Sequence, residues 1–451
     1  MPRLLVDTRP LRASPAYARL WWGLGLSQIG AQVTVMAVGL EVYHLTGSTF
    51  AVGLLGIFAL VPTILLGLYG GALADAFDRK KVALAAAAVT VVGTGGLVLH
   101  SILGLTSTVV LYVLAAVTAA GASMSAPVRM AIIPRLVGND LLPAANALGT
   151  MTGSIALTVG PMLGGFLAAF VGYGWTYTVD LALFMFALYA LVRLPSMPPE
   201  RATVGHHTND AGDAGDVSEV ADAADEPSRR VGFRAVWEGF RFLADRPNIR
   251  MTFVLDIVAM VTAMPRVLFP AVGAVLIGGG ETTAGQLTAA IAIGSLLASA
   301  FSGGLTRVRR QGVAIVVAIV AFGLCTSAFG IVLLLLGRSS GERPGVVVWG
   351  LVVGGLCLVG AGACDAISAV FRQTVLQAAT PDHLRGRLQG IFIVVVTGGP
   401  RLGDLVLGGS AERFGEALTA FGGGLACVAI VLALAAWQRG FLRYDARHPT
   451  P

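Results

Sequence analysis

The sequence predicts an all-α polytopic membrane protein, with twelve transmembrane helices arranged as two six-helix pseudo-repeat bundles. The first observation is composition: 55% of the 451 residues are hydrophobic and only 12% are charged, and the mean hydropathy is +0.79. A soluble domain does not combine so little charge with so apolar a chain. The second observation is a series of twelve apolar runs of about 20 residues, the length that crosses the hydrocarbon core of a bilayer. The third is one long polar interruption, which divides the runs into two sets of six.

The predicted helices follow these apolar runs. They lie near 18–40, 51–72, 82–103, 107–127, 148–171 and 173–194 in the first half, and near 250–277, 284–304, 312–337, 345–370, 388–410 and 415–437 in the second. Most of the 31 Lys and Arg residues fall on segments that are cytoplasmic if both termini lie inside. Basic residues favour the cytoplasmic side of a membrane, so both termini are predicted to be cytoplasmic. The net charge of +6 is attributed to this orientation, and nucleic-acid binding is not predicted.

The domain organisation follows from the polar interruption. We expect an N-terminal six-helix bundle over 1–195, a disordered acidic cytoplasmic linker over 196–228, an amphipathic helix in the membrane interface over 229–248, and a C-terminal six-helix bundle with a short cytoplasmic tail over 249–451. The halves also share short motifs: Ser-Ala-x-x-Arg ends both the fourth and the tenth predicted helix, with the arginines at Arg129 and Arg372. Such repeats indicate two parallel halves.

Two motifs stand out in the first half. Five of the seven residues from Asp75 to Lys81 are charged, although they lie between two apolar runs, and this predicts a tight cytoplasmic turn. The fifth predicted helix contains Gly-Pro-x-x-Gly-Gly, formed by Gly160, Pro161, Gly164 and Gly165. Glycines four residues apart let helices pack closely, and a proline bends a helix. Generic close packing is the alternative interpretation of this second motif.

Ionisable residues inside membrane helices are candidate functional groups because burying them is costly. The candidates are Asp180, Asp256, Arg266, Asp365, Arg401 and Asp404. Among them Asp256, Asp365 and Asp404 are favoured for proton coupling. Arg401 and Asp404 are three residues apart, so a structural ion pair within one helix is the alternative for them. Asp180 and Glu41 are expected near the outer surface, where water would solvate them.

A polar pair lies on the first predicted helix. Gln28 and Gln32 are one turn apart, so they share a face that should look into a cavity and could hydrogen-bond a substrate. Hydrogen bonds between helices are the equal alternative. His100 is assigned no role, and the four cysteines are interpreted as packing residues. No spacing typical of a metal site, a cofactor site or a nucleophile–base pair is found, so an enzyme is not predicted.

The motifs resemble those of the major facilitator superfamily. The charged turn is similar to the superfamily's loop signature, which implies that Gly71, Asp75, Arg79 and Lys80 help to latch the cytoplasmic side in one conformation. The fifth helix resembles the antiporter signature of exporters. Further segments resemble the drug:proton antiporter branch that includes the enterobactin exporter and macrolide-efflux proteins: Val42–Ser48, Gly239–Leu243, Arg266–Pro270, Val375–Pro381 and Arg385–Arg387. One departure is that Ala31, rather than an aspartate, follows Gly30.

The resemblance implies a secondary transporter in the bacterial inner (plasma) membrane, where it would act as a monomer. We expect it to export an amphipathic, siderophore-like molecule in exchange for protons, with no cofactor. Multidrug or macrolide-type efflux is the first alternative. Uptake by symport and a non-transporting membrane sensor are the remaining ones.

Overall fold

The protein is a bundle of long helices. The computed structural model describes residues 7–76, 78–194, 246–300, 308–337, 343, 345–379 and 382–445. Within these ranges it contains twelve long helices and no β-strand, which confirms the predicted fold class. The helices are α1 (Pro15–Thr46), α2 (Thr49–Ala76), α3 (Arg79–Ile102), α4 (Thr108–Val137), α5 (Leu142–Val171), α6 (Tyr173–Val192), α7 (Pro247–Leu276, interrupted), α8 (Gly280–Ala300), α9 (Gln311–Leu336), α10 (Val348–Ala379), α11 (Asp382–Phe414) and α12 (Glu416–Trp437).

Eleven of these helices are long and apolar enough to cross a membrane, as judged over the described residues. The exception is α11, whose described part carries two Arg, one Asp and one Glu between Arg401 and Arg413. It is nevertheless 33 residues long and packs between α2 and α7. Its charges therefore lie on a helix that belongs to the bundle.

The packing of helices repeats from one half to the other. In the first half α1 packs against α5 and α6, α4 packs against α2 and α3, and α3 packs against α6. The same pairs recur six helices later: α7 with α11 and α12, α10 with α8 and α9, and α9 with α12. Two further pairs join the halves, α2 with α11 and α5 with α8, and these two are also equivalent under the repeat. This arrangement agrees with two pseudo-repeat bundles that face each other.

The ends of the helices follow local sequence signals. Asp78 precedes α3, and its Oδ1 accepts the backbone N–H of Lys80 at 2.9 Å, as an N-cap residue does. Gly47 ends α1 with φ of 62°, a left-handed conformation that glycine adopts without steric cost. Gly47 thereby turns the chain directly into α2. We call the end of the bundle that carries this α1–α2 turn the outer end, because the sequence predicts it to face outside.

Several expected segments cannot be compared with the structure. The acidic linker over 196–228 and residues 229–245 of the expected interfacial helix lie outside the described residues. Residues 247 and 248 already belong to α7. The boundaries of the two bundles and the position of both termini on the cytoplasmic side stay predictions.

Candidate functional site

The helix α7 is broken where it faces the other half. Its regular part ends at Ala263, and Met264 adopts an extended conformation with ψ of 99°. A 3₁₀ turn at Pro265–Leu268 and a π-helical stretch at Val272–Leu276 follow. Pro265 explains the extended residue before it, since proline disfavours a helical conformation at the preceding position. The apolar run predicted near 250–277 matches the candidate span Pro247–Leu276, but the helix within it is interrupted, because two prolines five residues apart, Pro265 and Pro270, disturb its regular hydrogen bonding.

The break is stabilised by a neighbouring helix. The last carbonyl groups of a helical segment lack partners within the helix. At the end of the regular part of α7, Thr326 of α9 donates a hydrogen bond to the carbonyl oxygen of Ala263 at 3.1 Å. Breaks of this kind at membrane depth occur where the backbone is buried in protein or lines a cavity. The irregular stretch of α7 is therefore a place to look for a cavity within the bundle.

Arg266 lies in this irregular stretch and lines a cavity between the two halves. The cavity encloses about 120 Å³, and its wall is formed by α1, α5, α7 and α8. Arg266 is exposed, although its neighbours along the chain, Pro265 and Val267, are buried. The polar groups that share the cavity wall with Arg266 are Gln32, Ser154, Thr288, Ser295 and Ser299. One guanidinium surrounded by hydroxyl and amide groups suits a ligand that carries a negative charge or several hydroxyl groups.

Three other charged residues interact electrostatically with Arg266. Asp404 and Asp365 attract its guanidinium, and Arg401 repels it. Arg401 and Asp404 also attract each other. No salt bridge joins Arg401 to Asp404, although the structure describes both side chains, so the alternative of an ion pair within α11 is not realised in this conformation. Three of the sequence candidates thus influence the charge of Arg266.

A second charged group lies deeper in the C-terminal half. Arg372 Nη1 is 2.7 Å from Asp256 Oδ1, and Arg372 Nη2 is 3.5 Å from Asp365 Oδ1. Arg372 is 3% exposed and Asp256 is 2% exposed. The buried carboxylate of Asp256 and the partly exposed carboxylate of Asp365 therefore share one guanidinium. Asp256 Oδ2 has no hydrogen-bond partner among the described residues. Asp256 of α7 is thus paired with Arg372 of α10.

The two halves are joined at the outer end by three hydrogen bonds between hydroxyl groups and carboxylates. Ser48 donates to Glu412 at 2.9 Å, Thr49 to Glu416 at 3.2 Å, and Tyr173 to Glu281 at 3.0 Å. In each pair the hydroxyl belongs to the N-terminal half and the carboxylate to the C-terminal half. We call these six residues the outer gate. The hydrogen bonds of the outer gate hold the two halves together at the outer end in this structure.

The Gly-Pro motif of α5 lies at the same interface. A Cβ atom at Gly164 would be 2.9 Å from the carbonyl oxygen of Val33 on α1. A Cβ atom at Gly165 would collide with the backbone of Glu281 on α8, in the opposite half. Gly160 lies against the side chain of Gln32, and Pro161 lines the cavity. The motif therefore permits close approach in two directions, toward α1 within its own half and toward α8 across the halves.

Gln28 and Gln32 both lie beside glycines of α5. Gln32 lines the cavity, whereas Gln28 is half-buried and lies beside Gly153 of α5. Gln32 is therefore positioned to contact a molecule in the cavity. Gln28 is one turn away and contributes to the contact between α1 and α5.

Two carboxylates of the N-terminal half are buried, which corrects the expectation that water solvates them. Asp180 is 4% exposed and accepts a hydrogen bond from Thr34 at 2.6 Å. Glu41 is also 4% exposed and accepts a hydrogen bond from Tyr177 at 2.6 Å. The reason is close packing of α1 against α6: Asp180 lies directly against Gly30, where a Cβ atom would not fit. Neither carboxylate lines the cavity that contains Arg266.

The charged turn between α2 and α3 can be described only in part. The side chains of Asp75 and Arg79, and the surroundings of Gly71, lie outside the described residues. Lys80 is described, and its Nζ donates to the carbonyl oxygen of Leu194 at 2.6 Å. That contact ties the start of α3 to the end of α6 within the N-terminal half. Lys80 thus serves in this conformation as a link inside one half.

Sequence reasoning missed three features of the site. The role of Arg372 was not recognised, although the residue ends the repeated Ser-Ala-x-x-Arg motif. The hydroxyl groups on the cavity wall gave no signal, because serine and threonine are common in membrane helices. The break in α7 had a signal in Pro265 and Pro270, which the assignment of one apolar run did not take into account.

Comparison with known proteins supports a transporter. Residues 7–215 match the transmembrane secretion effector family. The chain is similar over almost its whole length to the enterobactin exporter EntS of Citrobacter koseri, with 28% identity over 448 residues that cover 99% of this chain and 97% of the relative. EntS of Escherichia coli O1:K1 is 27% identical over 436 residues, covering 95% of this chain and 94% of the relative.

Solved structures show the same fold at low sequence identity. The nucleoside transporter NupG superposes with a TM-score of 0.70 at 12% identity, covering 95% of this chain and 99% of that chain. A D-xylose-proton symporter superposes with a TM-score of 0.65 at 13% identity, covering 93% and 96%. Helix number, repeat packing, relatives and fold agree, and none of the named relatives is an enzyme. The chain is therefore similar to the transmembrane secretion effectors and the enterobactin exporters, and these similarities support a multi-pass cell-membrane transporter.

Proposed function

We propose that the protein exports an amphipathic organic molecule of the siderophore type across the bacterial cell membrane in exchange for protons. The observation that carries this proposal is the cavity between the halves, with Arg266 on an interrupted helix and hydroxyl groups around it. Broken helices and binding sites near the interface of two repeats are the usual arrangement in secondary transporters. The names of the full-length relatives favour export of a siderophore.

The cavity supports a substrate with an anionic or hydroxyl-rich group. Arg266 would bind that group, and Gln32 and Thr288 would add hydrogen bonds from opposite halves. The present volume of about 120 Å³ is below the roughly 300–1,000 Å³ of ordinary ligand sites. The halves must therefore separate at one end to admit a siderophore-sized molecule. Alternating access by rocking of the two bundles provides this separation.

The buried group of Asp256, Arg372 and Asp365 supports proton coupling. Two carboxylates share the guanidinium of Arg372, so these three residues together carry one negative charge when both carboxylates are ionised. Uptake of one proton by either carboxylate would neutralise the group, which is what a coupling site requires. Asp365 also attracts the guanidinium of Arg266, so the protonation of this group and the occupancy of the cavity would influence each other. Asp404, which attracts Arg266 from α11, is the third coupling candidate.

Inside-out membrane vesicles with an acidified interior test this function. We expect accumulation of a catecholate siderophore that an uncoupler abolishes. A panel of lipophilic antibiotics, macrolides included, forms a second arm, and accumulation of several of them would establish multidrug efflux instead. Vesicles that contain the folded protein but accumulate none of these compounds would contradict the proposal, as would accumulation that an uncoupler does not change. Uptake in the opposite direction would establish a symporter.

A further inference from the structure

A buried pair of titratable groups lies outside the substrate cavity, at the outer end of the N-terminal half. Glu41 is on α1 and His100 is near the end of α3. Glu41 Oε1 is 3.8 Å from His100 Nδ1, and the two side chains are 6% and 1% exposed. Neither the cavity nor the group around Arg372 uses them. A carboxylate and an imidazole that are removed from water together need a reason, because each is costly to bury.

The hydrogen bonds around the pair determine where protons reside. His100 Nε2 is 3.2 Å from the carbonyl oxygen of Ser107. A carbonyl oxygen only accepts hydrogen bonds, so Nε2 carries the ring proton, and in the neutral ring Nδ1 is an unprotonated acceptor. Nδ1 has no hydrogen-bond partner among the described residues. On the other side of the pair, Tyr177 donates its hydroxyl proton to Glu41 Oε2 at 2.6 Å.

The two facing atoms are therefore both acceptors. When Glu41 is ionised and His100 is neutral, Oε1 and the lone pair of Nδ1 point at each other with no proton between them. One added proton converts this repulsion into a charge-assisted hydrogen bond, and such bonds contract to about 2.7–2.9 Å. The proton comes from water, and no other bond has to break, because Oε2 and Nε2 keep their own partners.

The remaining groups near the pair do not supply this proton. On α3, the Ser101 hydroxyl reaches Glu41. On α1, His44 lies one turn away and is exposed, with its ring tilted against Tyr173 of α6 at 6.0 Å. Val38 and Val42, on either side of Glu41 along α1, and Leu97, one turn before His100 on α3, belong to a buried hydrophobic cluster. The pair is thus enclosed, but His100 lies at the end of α3, next to an exposed connection over 103–107.

We propose that Glu41 and His100 form a proton-binding site at the outer end of the N-terminal bundle, which holds one proton between Glu41 Oε1 and His100 Nδ1. Its use in transport rests on the proposed function, since a proton-driven exporter takes protons from the outer side. The site lies beside the outer gate: Tyr177 contacts Glu41, and Tyr173, one turn earlier on α6, donates to Glu281 of the other half. Asp180, a second buried carboxylate, lies on α6 three residues beyond Tyr177.

Nuclear magnetic resonance of the full-length protein in lipid nanodiscs, labelled with ¹⁵N-histidine, tests the site directly. The chain has six histidines, so His100→Asn identifies the His100 signals by their loss. In the wild type we expect Nε2 to stay protonated at every pH, while Nδ1 changes from an unprotonated to a hydrogen-bonded, protonated nitrogen as the pH is lowered. In Glu41→Gln we expect this change at Nδ1 to disappear, because the side-chain amide donates to Nδ1 at every pH.

Two controls show whether the response belongs to this pair of side chains. His44→Asn should leave the response of His100 unchanged, and a retained Nε2 signal in Glu41→Gln reports that the contact with Ser107 is still formed. An Nδ1 that stays unprotonated in the wild type over the pH range in which the protein remains folded would overturn the proposal. The same holds if Glu41→Gln leaves the response as it was. The vesicle assay reports transport and does not depend on this resonance experiment. A proton site without transport, and transport without this proton site, would therefore be distinguished from each other.

Discussion

Replacing Gly165 by alanine tests whether the contact between α5 and α8 closes the outer end. Gly165 is buried, and the added Cβ atom would collide with the carbonyl oxygen of Glu281 and lie 3.1 Å from the Cα atom of Gly285. These are backbone atoms of α8, and they cannot yield as the end of a flexible side chain can. The substitution therefore opposes the conformation in which the two helices touch, and it leaves the conformation in which they separate unaffected.

The size of the effect follows from the packing. Extra carbon atoms in a well-packed site cost about 1–3 kcal/mol. If the whole cost falls on the closed conformation, the ratio of open to closed protein rises by roughly 5- to 150-fold, since about 1.4 kcal/mol corresponds to a factor of ten. Gly149 provides the matched control. It lies on the same helix, and a Cβ atom there would meet nothing within 4 Å, so Gly149→Ala should leave the ratio unchanged.

The assay measures how often the outer end opens. Leu40 is 4% exposed and packs in a cluster with residues of the C-terminal half, so Leu40→Cys reacts with a water-soluble maleimide only when the halves separate there. The labelling rate is measured on purified protein in nanodiscs, with the reaction of the four native cysteines subtracted. We expect Gly165→Ala to raise the rate by the factor given above and Gly149→Ala to leave it unchanged. Equal rates in the two variants would refute the assignment of this contact to outer closure.

Two further predictions concern the ion pairs of Arg372 and the hydrogen bond of Tyr173. Removing Arg372 leaves the buried carboxylate of Asp256 and the partly exposed one of Asp365 without their shared cation, so Arg372→Met should lower the free energy of unfolding by about 3–5 kcal/mol. Asp256→Asn should cost less, because Arg372 keeps Asp365, and thermal unfolding of both variants in detergent tests this order; equal losses would contradict a shared guanidinium. Tyr173→Phe removes a hydrogen bond to a carboxylate across the halves, worth about 1.5–3 kcal/mol. It should raise maleimide labelling at the outer end roughly 10- to 150-fold, and an unchanged rate would mean that this bond does not hold the gate closed.

Much of the fold was predictable from the sequence because membrane helices obey simple rules. Every backbone polar group in the bilayer must be satisfied within its segment, so long apolar runs become helices. The repeated motif around Arg129 and Arg372 predicted two similar halves, and the packing of the helices agrees with them. The break in α7 was missed because mean hydropathy does not register proline. Pro265 and Pro270 interrupt the helix without making the run less apolar.

The site was predictable only as a set of candidates. The sequence identified the intramembrane charges as candidate functional groups, but the groups that they contact lie on different helices and are distant along the chain. Asp256 and Arg372 are brought together only when α7 packs beside α10. Glu41 and Asp180 were expected to be solvated near the outer surface, whereas the close packing of α1 against α6 buries both of them. Burial in a bundle depends on the rotation of each helix, and the weak amphipathicity of these helices does not determine that rotation.

Binding of a catecholate siderophore to the purified protein, and to variants at Arg266, tests the proposed substrate site. Arg266→Gln removes the charge on the cavity wall, whereas Arg266→Lys retains it and serves as the control. A hydrogen bond to a charged group contributes about 1.5–3 kcal/mol. We therefore expect Arg266→Gln to weaken siderophore binding roughly 10- to 150-fold, and Arg266→Lys to weaken it less. Wild-type affinity in Arg266→Gln would contradict the proposal that the substrate binds between the two halves and contacts Arg266.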